Sequence, residues 1–460
     1  MPEVLPLQVV IIGAGISGLT AAIALRRVGH SVVVLEQEAD VDVTPFAAGA
    51  RLAPNMALVY KRWGLERALK KIGILLEHAE FIGFTTGEIA AGGDWQEEMK
   101  AEAGTNHWAM RYEDLRKLLA DTAKASGATV RVNSRAVSVS IKPDQGQVKL
   151  ASGELVVGDL IIGADGRDEI AGKKPITRGI LLEKEDYAKY KRLIIALISA
   201  SAMRGDPSLA AMLPKDDEHG PLYSWFGDAC GVIGFPTRMD EFCIHVFYPA
   251  PETIDSIVHL AGKDDLIKAM ATAEPRLRKL AAAAHTVIGI PVRERPEVED
   301  WVHPDGPMIA IGEAAHPLTT GSLTALNLAA GDGMILGRLF KNLHRKEQIG
   351  SFLAAVVENR QKRIRDIQKS ERANPLTMSL PAGVEQARYL KATVQHMGND
   401  GIVSFAEESI RNAYSYDPED EADSWWVEWG ILQERAANIT PITPLNLSVD
   451  VHARNDSISR

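Results

Sequence analysis

Cysteine is nearly missing from this chain of 460 residues, which contains only Cys230 and Cys243. Two cysteines cannot form a disulfide framework or supply all the ligands of a structural zinc site, so neither kind of scaffold is expected. Both cysteines fall in stretches with strand character, where we expect them to serve as small apolar residues. The sequence predicts no metal site.

Long hydrophobic runs are also missing. The uncharged run 9–25 contains three spaced glycines, and Glu3 precedes it at a place where a signal peptide would carry basic residues. No other apolar run approaches the ~20 residues that are needed to span a bilayer. We therefore expect a cytoplasmic protein without a membrane span.

The chain also lacks an excess of basic residues. The chain has 51 Lys and Arg against 61 Asp and Glu, which gives a formal net charge of −10. A nucleic-acid-binding face requires clustered basic residues, whereas the clearest basic cluster, at 359–372, is interleaved with acids and reads as a solvated helix face. Nucleic acid is therefore not an expected partner, and the composition is that of a globular protein with two or three domains.

The most informative stretch that is present spans residues 8–36, QVVIIGAGISGLTAAIALRRVGHSVVVLE, and it reads as strand, turn, helix, strand. Gly13, Gly15 and Gly18 have the G-x-G-x-x-G spacing, which brings a pyrophosphate to the N-terminus of a helix. Glu36 ends the second strand, where an acidic side chain can accept hydrogen bonds from ribose hydroxyls. The pattern predicts dinucleotide binding but does not distinguish FAD from NAD.

Apolar periodicity predicts two sheets along the rest of the chain. The first is parallel, and a strand at 155–163 brings the sequence GADG to the same edge as the glycine loop. The second is mainly antiparallel and carries aromatic and polar residues on one face. Its predicted strands lie at 193–200, 223–226, 231–235 and 241–248. The other predicted elements are a helix at 56–72, a strand pair at 81–89, a helix that follows Arg111 and ends at Gly127, a meander of strands at 129–150, a helix at 264–284 interrupted at Pro275, a strand at 307–311, and helices at 334–344 and 351–373.

Four motifs in order resemble the class A flavoprotein aromatic monooxygenases, the group that includes salicylate hydroxylase and para-hydroxybenzoate hydroxylase. They are GAGISG with Glu36, Arg111 before its helix, GADG at 163–166 and GEAAHP at 312–317. The resemblance covers about residues 8–375 and implies an α/β fold. It consists of a Rossmann-like FAD-binding domain with a parallel sheet, an interleaved and mainly antiparallel substrate-binding sheet, and C-terminal helices. The implied divisions are 1–185, of which 75–110 contribute to the substrate side, then 186–295 for the substrate sheet, 296–375 for the second part of the FAD-binding domain, and 376–460 for a helical and polar extension.

The resemblance also implies a chemistry. In that family NAD(P)H reduces FAD, O2 adds at the flavin C4a atom, and the resulting hydroperoxide hydroxylates or epoxidises an electron-rich substrate. FAD is therefore the implied cofactor, and NADPH or NADH is the implied transient reductant. The implied substrate is an aromatic or polycyclic small molecule, polyketide-like or alkaloid, in secondary metabolism.

Residue by residue, the resemblance implies a set of cofactor contacts along the chain. Arg51 is a further candidate for the distal half of the cofactor, although its spacing fits a surface arginine after a turn equally well. The implied contacts are Gly13, Ala14, Gly15, Ser17, Gly18, Glu36 and Gln37 for the ADP half, Arg111, Asp165 and Gly166 for the pyrophosphate or ribityl chain, and Glu313, Ala325, Leu326 and Asn327 for the flavin.

Candidate catalytic residues are His316, His245 and Arg192, and each has an ordinary structural alternative. His316 is close to the implied flavin position but also fits a cap at a helix start, and His245 fits a buried core histidine. Arg192 opens a long strand and would meet a phenolate or carboxylate, or end in solvent. Candidate substrate-binding residues are Tyr223, Trp225, Phe235, Pro317 and Thr320. Of these, the strand pair Tyr223 and Trp225 shares one face and equally fits a core position.

Four departures from the family pattern favour keeping a second function open. The family sequence D-G-x-x-S-x-V-R reads DGRDEIAG here, so Glu169 and Gly172 stand in the part associated with reduced nicotinamide. Glu313 replaces an aspartate, and Thr320 replaces a proline near the flavin. The alternative is a non-redox cyclase or isomerase that keeps FAD as a structural cofactor and acts through proximity.

Overall fold

The protein is an α/β structure with one parallel sheet and one larger, curled mixed sheet. A computed structural model describes residues 4–41, 49–94, 107–166, 175–182, 189–216, 218–248, 262–294, 298–317, 324–378, 383–384 and 416–432. At 91, 189–192, 291–294 and 369–378 it describes the backbone alone.

The strands in the described residues occur singly or in runs of up to five between helices. They are β1 (Gln8–Ile12), β2 (Ser31–Leu35), β3 (Gly49–Leu52), β4 (Gly73–Gly83), β5 (Ile89–Asp94), β6 (His107–Arg111), β7 (Thr129–Arg131), β8 (Ala136–Lys142), β9 (Gln145–Leu150), β10 (Leu155–Gly158), β11 (Leu160–Gly163), β12 (Lys189–Ser199), β13 (His219–Phe226), β14 (Gly231–Arg238), β15 (Glu241–Tyr248), β16 (Thr286–Glu294) and β17 (Met308–Ala310).

The helices include two long ones, α10 and α11. They are α1 (Ile16–Arg27), α2 (Pro54–Arg62), α3 (Glu66–Ile72), α4 (Tyr112–Ala125), α5 (Thr177–Leu181), α6 (Ala200–Arg204), α7 (Pro207–Ala210), α8 (Lys263–Ala269), α9 (Pro275–Ala283), α10 (Ala325–Phe340), α11 (Ile349–Met378) and α12 (Pro418–Trp425). Among the described residues, no helix combines the length and apolar character that crossing a membrane requires.

The parallel sheet has the strand order β17, β11, β1, β2, β7. Its central strands are runs of Val, Ile and Leu that are buried on both faces, as parallel strands with helices on either side require. Helix α10 packs tightly on α1, because a Cβ atom at Gly337 would lie 2.4 Å from Cβ of Ala24. Because these strands run parallel, the carboxyl ends of β1, β2, β11 and β17 form one edge of the sheet, as the sequence predicts.

The second sheet has the order β16, β12, β15, β14, β13, β4, β6, β3, with β5 paired to β4. All its pairs are antiparallel except β13 with β4. One face packs against α6 to α9 through an apolar cluster that includes Trp225 and Phe242. The opposite face, which we call the inner face, carries Phe235, Cys243 and Ile195. The sheet therefore separates a helix-covered core from an inner face that looks toward β4 and β6.

The strand expected at 155–163 is in fact two strands in different sheets, so that prediction was wrong. Asp159 divides them: its carboxylate accepts a hydrogen bond from the backbone N–H of Gln8 at 2.7 Å. Before it, β10 belongs to a small antiparallel sheet with β8 and β9, and Leu155 is 52% exposed there. After it, β11 enters the parallel sheet. The predicted meander at 129–150 is also corrected. Its first strand, β7, pairs with β2 in the parallel sheet and not with β8.

The helix expected at 56–72 is also divided. Helix α2 ends at Arg62, and α3 begins at Glu66. Gly64 between them has φ of +87°, a left-handed conformation that stops a helix and favours glycine. The predicted helix at 334–344 is the second part of α10, which begins earlier, at Ala325, and ends at Phe340.

A C-terminal segment, residues 416–432, packs back on the FAD-binding half of the chain. It begins with α12, which Asp417 caps, and continues as one turn of π-helix from Trp426 to Gly430. Trp425 joins the largest apolar core, and Asp417 forms a two-bond ion pair with Arg62 at 2.5 and 2.8 Å. These contacts fix the segment against α2, α10 and α11.

Candidate cofactor and active site

The glycine loop between β1 and α1 leaves the start of the helix open. Gly13 has φ of +104°, and a Cβ atom there would lie 2.5 Å from the carbonyl oxygen of Ala164. At Gly18 a Cβ atom would lie 2.1 Å from the carbonyl oxygen of Gly13, so both positions exclude a side chain. At Gly15 a Cβ atom would meet nothing within 4 Å, and this N-cap residue makes no side-chain capping bond. The amide groups of the first turn therefore face space that suits a pyrophosphate.

Glu36 stands at the end of β2, beside this loop. Its Oε2 atom accepts a hydrogen bond from the backbone N–H of Ala14 at 3.0 Å, and its Oε1 atom accepts one from the N–H of Glu38 at 2.9 Å. Arg116 donates to Oε2 at 2.7 Å. The carboxylate is fixed at the edge of the sheet, where an adenosine ribose would lie when its pyrophosphate occupies the helix terminus.

The GADG turn follows β11 at the same edge. Oδ2 of Asp165 accepts hydrogen bonds from the backbone N–H groups of Ile176 and Thr177 at 2.6 and 3.1 Å. Its Oδ1 atom is buried and has no hydrogen-bond partner among the described residues. Burial raises the pKa of Asp165 above the ordinary value of an aspartate. An unpaired buried acceptor at this place fits a ligand hydroxyl, such as one of the ribityl chain.

The GEAAHP motif follows β17 and forms a short 3-10 turn from Gly312 to Ala314. This turn lies against the start of α1, because a Cβ atom at Gly312 would lie 2.6 Å from Oγ of Ser17. Glu313 therefore stands at the same edge as the glycine loop. Four segments meet there and supply an open helix terminus, a ribose acceptor and an unpaired carboxylate oxygen, which together fit an extended dinucleotide such as FAD.

His316 ends this motif inside a buried polar cluster. Its Nε2 atom lies 2.5 Å from Oδ2 of Asp332, and the guanidinium of Arg360 donates to the other oxygen of Asp332 at 2.7 Å. Burial alone would raise the pKa of Asp332, but His316 and Arg360 outweigh it and hold that pKa below its ordinary value. The His316 side chain is only 1% exposed and faces the ring of Trp301. This position favours a structural role over contact with a substrate.

A second buried polar group lies on the inner face of the curled sheet. Arg51 on β3 stacks over the ring of Phe235 at 5.2 Å, and Phe235 meets His245 edge-on at 5.2 Å. Burial, and secondly the charge of Arg51, lower the pKa of both His107 and His245 to about 3. Arg51 is 4% exposed, so the alternative of a surface arginine was wrong.

Comparison with known proteins agrees with this geometry. A family model described as an FAD-binding domain matches residues 6–222. FAD-dependent monooxygenase OpS4 of Beauveria bassiana is 26% identical over 405 residues, which cover 85% of this chain and 90% of that protein. These findings show that the chain resembles the class A flavin-dependent aromatic monooxygenases. It is an FAD-binding enzyme of the oxidoreductase class.

Two further comparisons add another relative and a solved structure. The 3-hydroxybenzoate 6-hydroxylase 1 of Aquipseudomonas alcaligenes is 22% identical over 331 residues, covering 72% of this chain and 79% of that protein. The crystal structure of FqzB superimposes with a TM-score of 0.76 at 19% identity, covering 97% of this chain and all of that chain. The second likeness shows that the two proteins share a fold over nearly the whole length of this chain.

Arg111 of the monooxygenase is engaged with the substrate sheet. It precedes α4 as predicted, and its guanidinium forms a two-bond ion pair with Glu241 on β15 and a further bond to Glu113 at 3.0 Å. Close by, Arg238 pairs with Asp114 through bonds of 2.8 and 2.5 Å. The contact of Arg111 with FAD stays a prediction. The structure shows two ion pairs that join the end of β6 and the first turn of α4 to the β14–β15 hairpin, and we call these two pairs the clamp.

The expected substrate contacts of Tyr223 and Trp225 are corrected by the structure. Both side chains point into the core beneath α8 and α9, and the indole N–H of Trp225 donates to Glu274 at 3.1 Å. The two-residue repeat of a strand correctly placed both side chains on the same face of the sheet. It did not show that this face is the one that the helices cover. Phe235 lies instead on the inner face, with no exposed surface.

The remaining predicted site residues are placed as follows. Gln37 and Gly166 are half-buried at the cofactor edge, and Pro317 is buried. Ala325 and Leu326 are half-buried at the start of α10, where Asn327 accepts a bond from the N–H of Ala53 at 2.9 Å. Arg192 lies on β12 opposite Tyr248, and its side chain lies outside the described residues. Thr320, Glu169 and Gly172 also lie outside the described residues.

Two arginines of the site were missed from the sequence. Arg116 contacts Glu36, and Arg360 contacts Asp332, although the basic cluster containing Arg360 was interpreted as a solvated face. Arg360 is 1% exposed. One signal was available for Arg116: it lies beside the apolar stripe of α4 that contains Leu115 and Leu119, where an unpaired charge is not expected.

Proposed function

We propose that this flavin-dependent monooxygenase hydroxylates or epoxidises an electron-rich aromatic or polycyclic small molecule, with NAD(P)H as reductant and O2 as co-substrate. The observation that carries the proposal is that β3 joins the inner face to the predicted flavin segment: Arg51 packs on Phe235, and the N–H of Ala53 donates to Asn327 at the start of α10. Relatives named FAD-dependent monooxygenase, from Beauveria bassiana and a Nectria species, support the reaction type. A place in secondary metabolism belongs to the same proposal.

The inner face supplies the apolar surface that such a substrate needs. Phe81 and Phe247 are half-buried there and pack against the cluster of Phe235 and Ile195. Phe81 also stacks on Phe226 with ring centres 5.7 Å apart. Partly exposed aromatic rings bind a flat, electron-rich ligand by stacking, so Phe81 and Phe247 take the substrate-binding role that the sequence assigned to Tyr223 and Trp225.

The chain's own residues bind and orient rather than react in this proposal. When bound, FAD supplies the redox chemistry. The α1 terminus and Glu36 would hold its ADP half, the free oxygen of Asp165 would accept a hydrogen bond from a hydroxyl of the connecting chain, and Glu313 would lie on the pyrophosphate side. The two ion pairs between α4 and the β14–β15 hairpin fix the inner face relative to the cofactor edge, which sets the distance between substrate and flavin.

The test begins with the purified holoenzyme under anaerobic conditions. Absorbance of the flavin near its visible maximum is followed after mixing with NADPH or NADH, alone and with a panel of hydroxybenzoates, indoles and naphthols. We expect at least one panel compound to accelerate reduction, and the product formed in 18O2 to carry one labelled atom. If neither nicotinamide reduces the flavin with any compound of the panel, the proposal is wrong.

The same assay separates the cyclase alternative. A cyclase on this scaffold would convert its substrate without O2 and without NAD(P)H, and its flavin would stay oxidised throughout. Full anaerobic conversion of a compound would therefore contradict the monooxygenase proposal, whereas a strict requirement for both O2 and NAD(P)H would eliminate the cyclase.

A cytoplasmic location completes the proposal. It is supported by the two free cysteines, since neither Cys230 nor Cys243 forms a disulfide. Fractionation of cells that produce the tagged full-length chain should recover it with the cytosolic markers, and recovery with secreted proteins would contradict the proposal.

A further inference from the structure

Arg116 closes a ring of hydrogen bonds between three segments that are distant in sequence. From the second turn of α4, its Nε atom donates to the carbonyl oxygen of Ala14 at 2.8 Å, and a terminal nitrogen donates to Oε2 of Glu36 at 2.7 Å. The N–H of Ala14 donates to the same Oε2 atom at 3.0 Å. The side chains of Arg116 and Glu36 are 7% and 8% exposed, so water competes little for these bonds. The ring fixes α4, the glycine loop and the end of β2 relative to one another.

This ring determines which oxygen of Glu36 can receive a ligand. A carboxylate oxygen accepts about two hydrogen bonds, and both positions on Oε2 are taken by Arg116 and Ala14. Oε1 accepts one bond in the described residues, from the N–H of Glu38. The remaining position on Oε1 is therefore the one that a ribose hydroxyl can use. Without Arg116 the carboxylate would keep only the backbone bonds from Ala14 and Glu38, and one position on Oε2 would become open to a competing donor.

The charges at this edge give Arg116 a second effect. The phenol of Tyr112 interacts electrostatically with Arg116, Glu313 and Glu36, so all three charged groups lie in its neighbourhood. A pyrophosphate brings further negative charge to a place that already contains two carboxylates. The guanidinium of Arg116 offsets part of that repulsion in a poorly solvated environment, where charge interactions are strong.

We propose that Arg116 is a positioning residue for the ADP half of FAD and acts through Glu36. It holds the carboxylate so that Oε1 meets the adenosine ribose, and it neutralises the acid beside the pyrophosphate. The inference rests on FAD binding and is independent of whether the bound flavin reacts with oxygen.

The test measures dissociation constants of FAD and of ADP with the full-length chain from which flavin has been removed, by flavin fluorescence quenching and by calorimetry. The variants are Arg116→Met, Arg116→Lys, Glu36→Gln and the double variant Arg116→Met with Glu36→Gln. Lys117→Met is the matched control, since it removes one positive charge from the next, exposed position of α4. The melting temperature of each apoprotein is recorded alongside.

We expect Arg116→Met to weaken FAD and ADP binding by the same factor, about tenfold or more, and the double variant to lie within about twofold of Glu36→Gln, because residues that act as one unit are not additive. Arg116→Lys should recover part of the affinity by restoring the charge without the two-bond geometry, and Lys117→Met should leave it unchanged.

Three results would overturn the inference. The first is a loss in the double variant that equals the product of the two single losses. The second is a loss for FAD that ADP does not share. The third is a fall in apoprotein melting temperature that occurs without any fall in affinity, which would make Arg116 purely structural. If Arg116→Met fails to fold, the comparison of Arg116→Lys with Glu36→Gln decides the question by the same criteria.

Discussion

His107 and His245 link the stability of this protein to pH. Both are buried, and their pKa values are lowered to about 3, whereas an unfolded histidine titrates near 6.5. Between these values the unfolded chain binds more protons, so stability is complete above pH 6.5 and falls as the pH falls toward 3. At about 1.4 kcal/mol per histidine and pH unit, the two together lose about 4 kcal/mol between pH 6.5 and 5.

This pH effect is measurable as the urea midpoint at pH 7 and pH 5. We expect the midpoint to fall at the lower pH, and the variant His245→Leu to show roughly half of that fall. His285→Leu is the control, since His285 is not buried. A fall of the same size in His245→Leu and in the unaltered chain would show that His245 does not carry the effect.

Single residues also show what the sequence could predict. The roles of Gly13, Gly15 and Gly18 were predictable because one turn of backbone fixes them. Arg116 was not, since its partners Ala14 and Glu36 lie 102 and 80 residues away. A periodic pattern records which residues share a face, but the partner across that face is set by tertiary packing.

At the level of elements, the two ion pairs of the clamp at the β14–β15 hairpin differ in how deeply they are buried. The side chain of Glu241 is 5% exposed and depends on Arg111, whereas Arg238 is 40% exposed. Breaking a buried ion pair leaves a charge without compensation, which costs far more than losing an exposed pair. We expect Arg111→Gln to lower the free energy of unfolding by about 2 kcal/mol and Arg238→Gln by less than about 1 kcal/mol.

Urea denaturation of the two variants checks this order. Equal losses would contradict the unequal clamp. FAD titration of the same Arg111→Gln protein adds independent information: a dissociation constant near that of the unaltered chain would assign Arg111 to the clamp, and a large increase would support the cofactor contact that the sequence predicts.

The elements also show why some predicted boundaries failed. Asp159 interrupts an apolar run only once, and the hydrophobic pattern across 155–163 does not change at that position. The division into β10 and β11 arises from the bond between its carboxylate and Gln8, 151 residues away. The exact start of α10 at Ala325 could not be placed for a related reason, since no local side chain caps it and its first turn contacts Ala53 through Asn327.

Across the whole molecule, the segment 416–432 is part of the main core. Trp425 is 7% exposed within the largest apolar cluster, and its indole N–H donates to Glu358 at 3.2 Å. We expect Trp425→Ala to lower the free energy of unfolding by about 3–5 kcal/mol, the usual cost of removing a buried tryptophan.

Thermal denaturation of the holoenzyme measures this effect. Trp429→Ala is the matched control, because Trp429 is 56% exposed on the following helical turn and its loss should change little. Equal shifts in the two variants would show that the segment is not packed as described.

The order of strands in the parallel sheet has a consequence for synthesis on the ribosome. β1 and β2 are made first, but the strand on the other side of β1 is β11, and the contact of Gln8 with Asp159 spans 151 residues. At roughly 5–20 residues per second, about 10–30 s pass before β11 emerges. β17 is made later still, and so are Gly333 and Gly337 of α10, which pack against Ala21 and Ala24 of α1. During that interval one side of β1 is an unpaired edge of Val and Ile, so the nascent chain presents a chaperone substrate. A fragment that ends at residue 222 would lack β17, and its parallel sheet could never be completed.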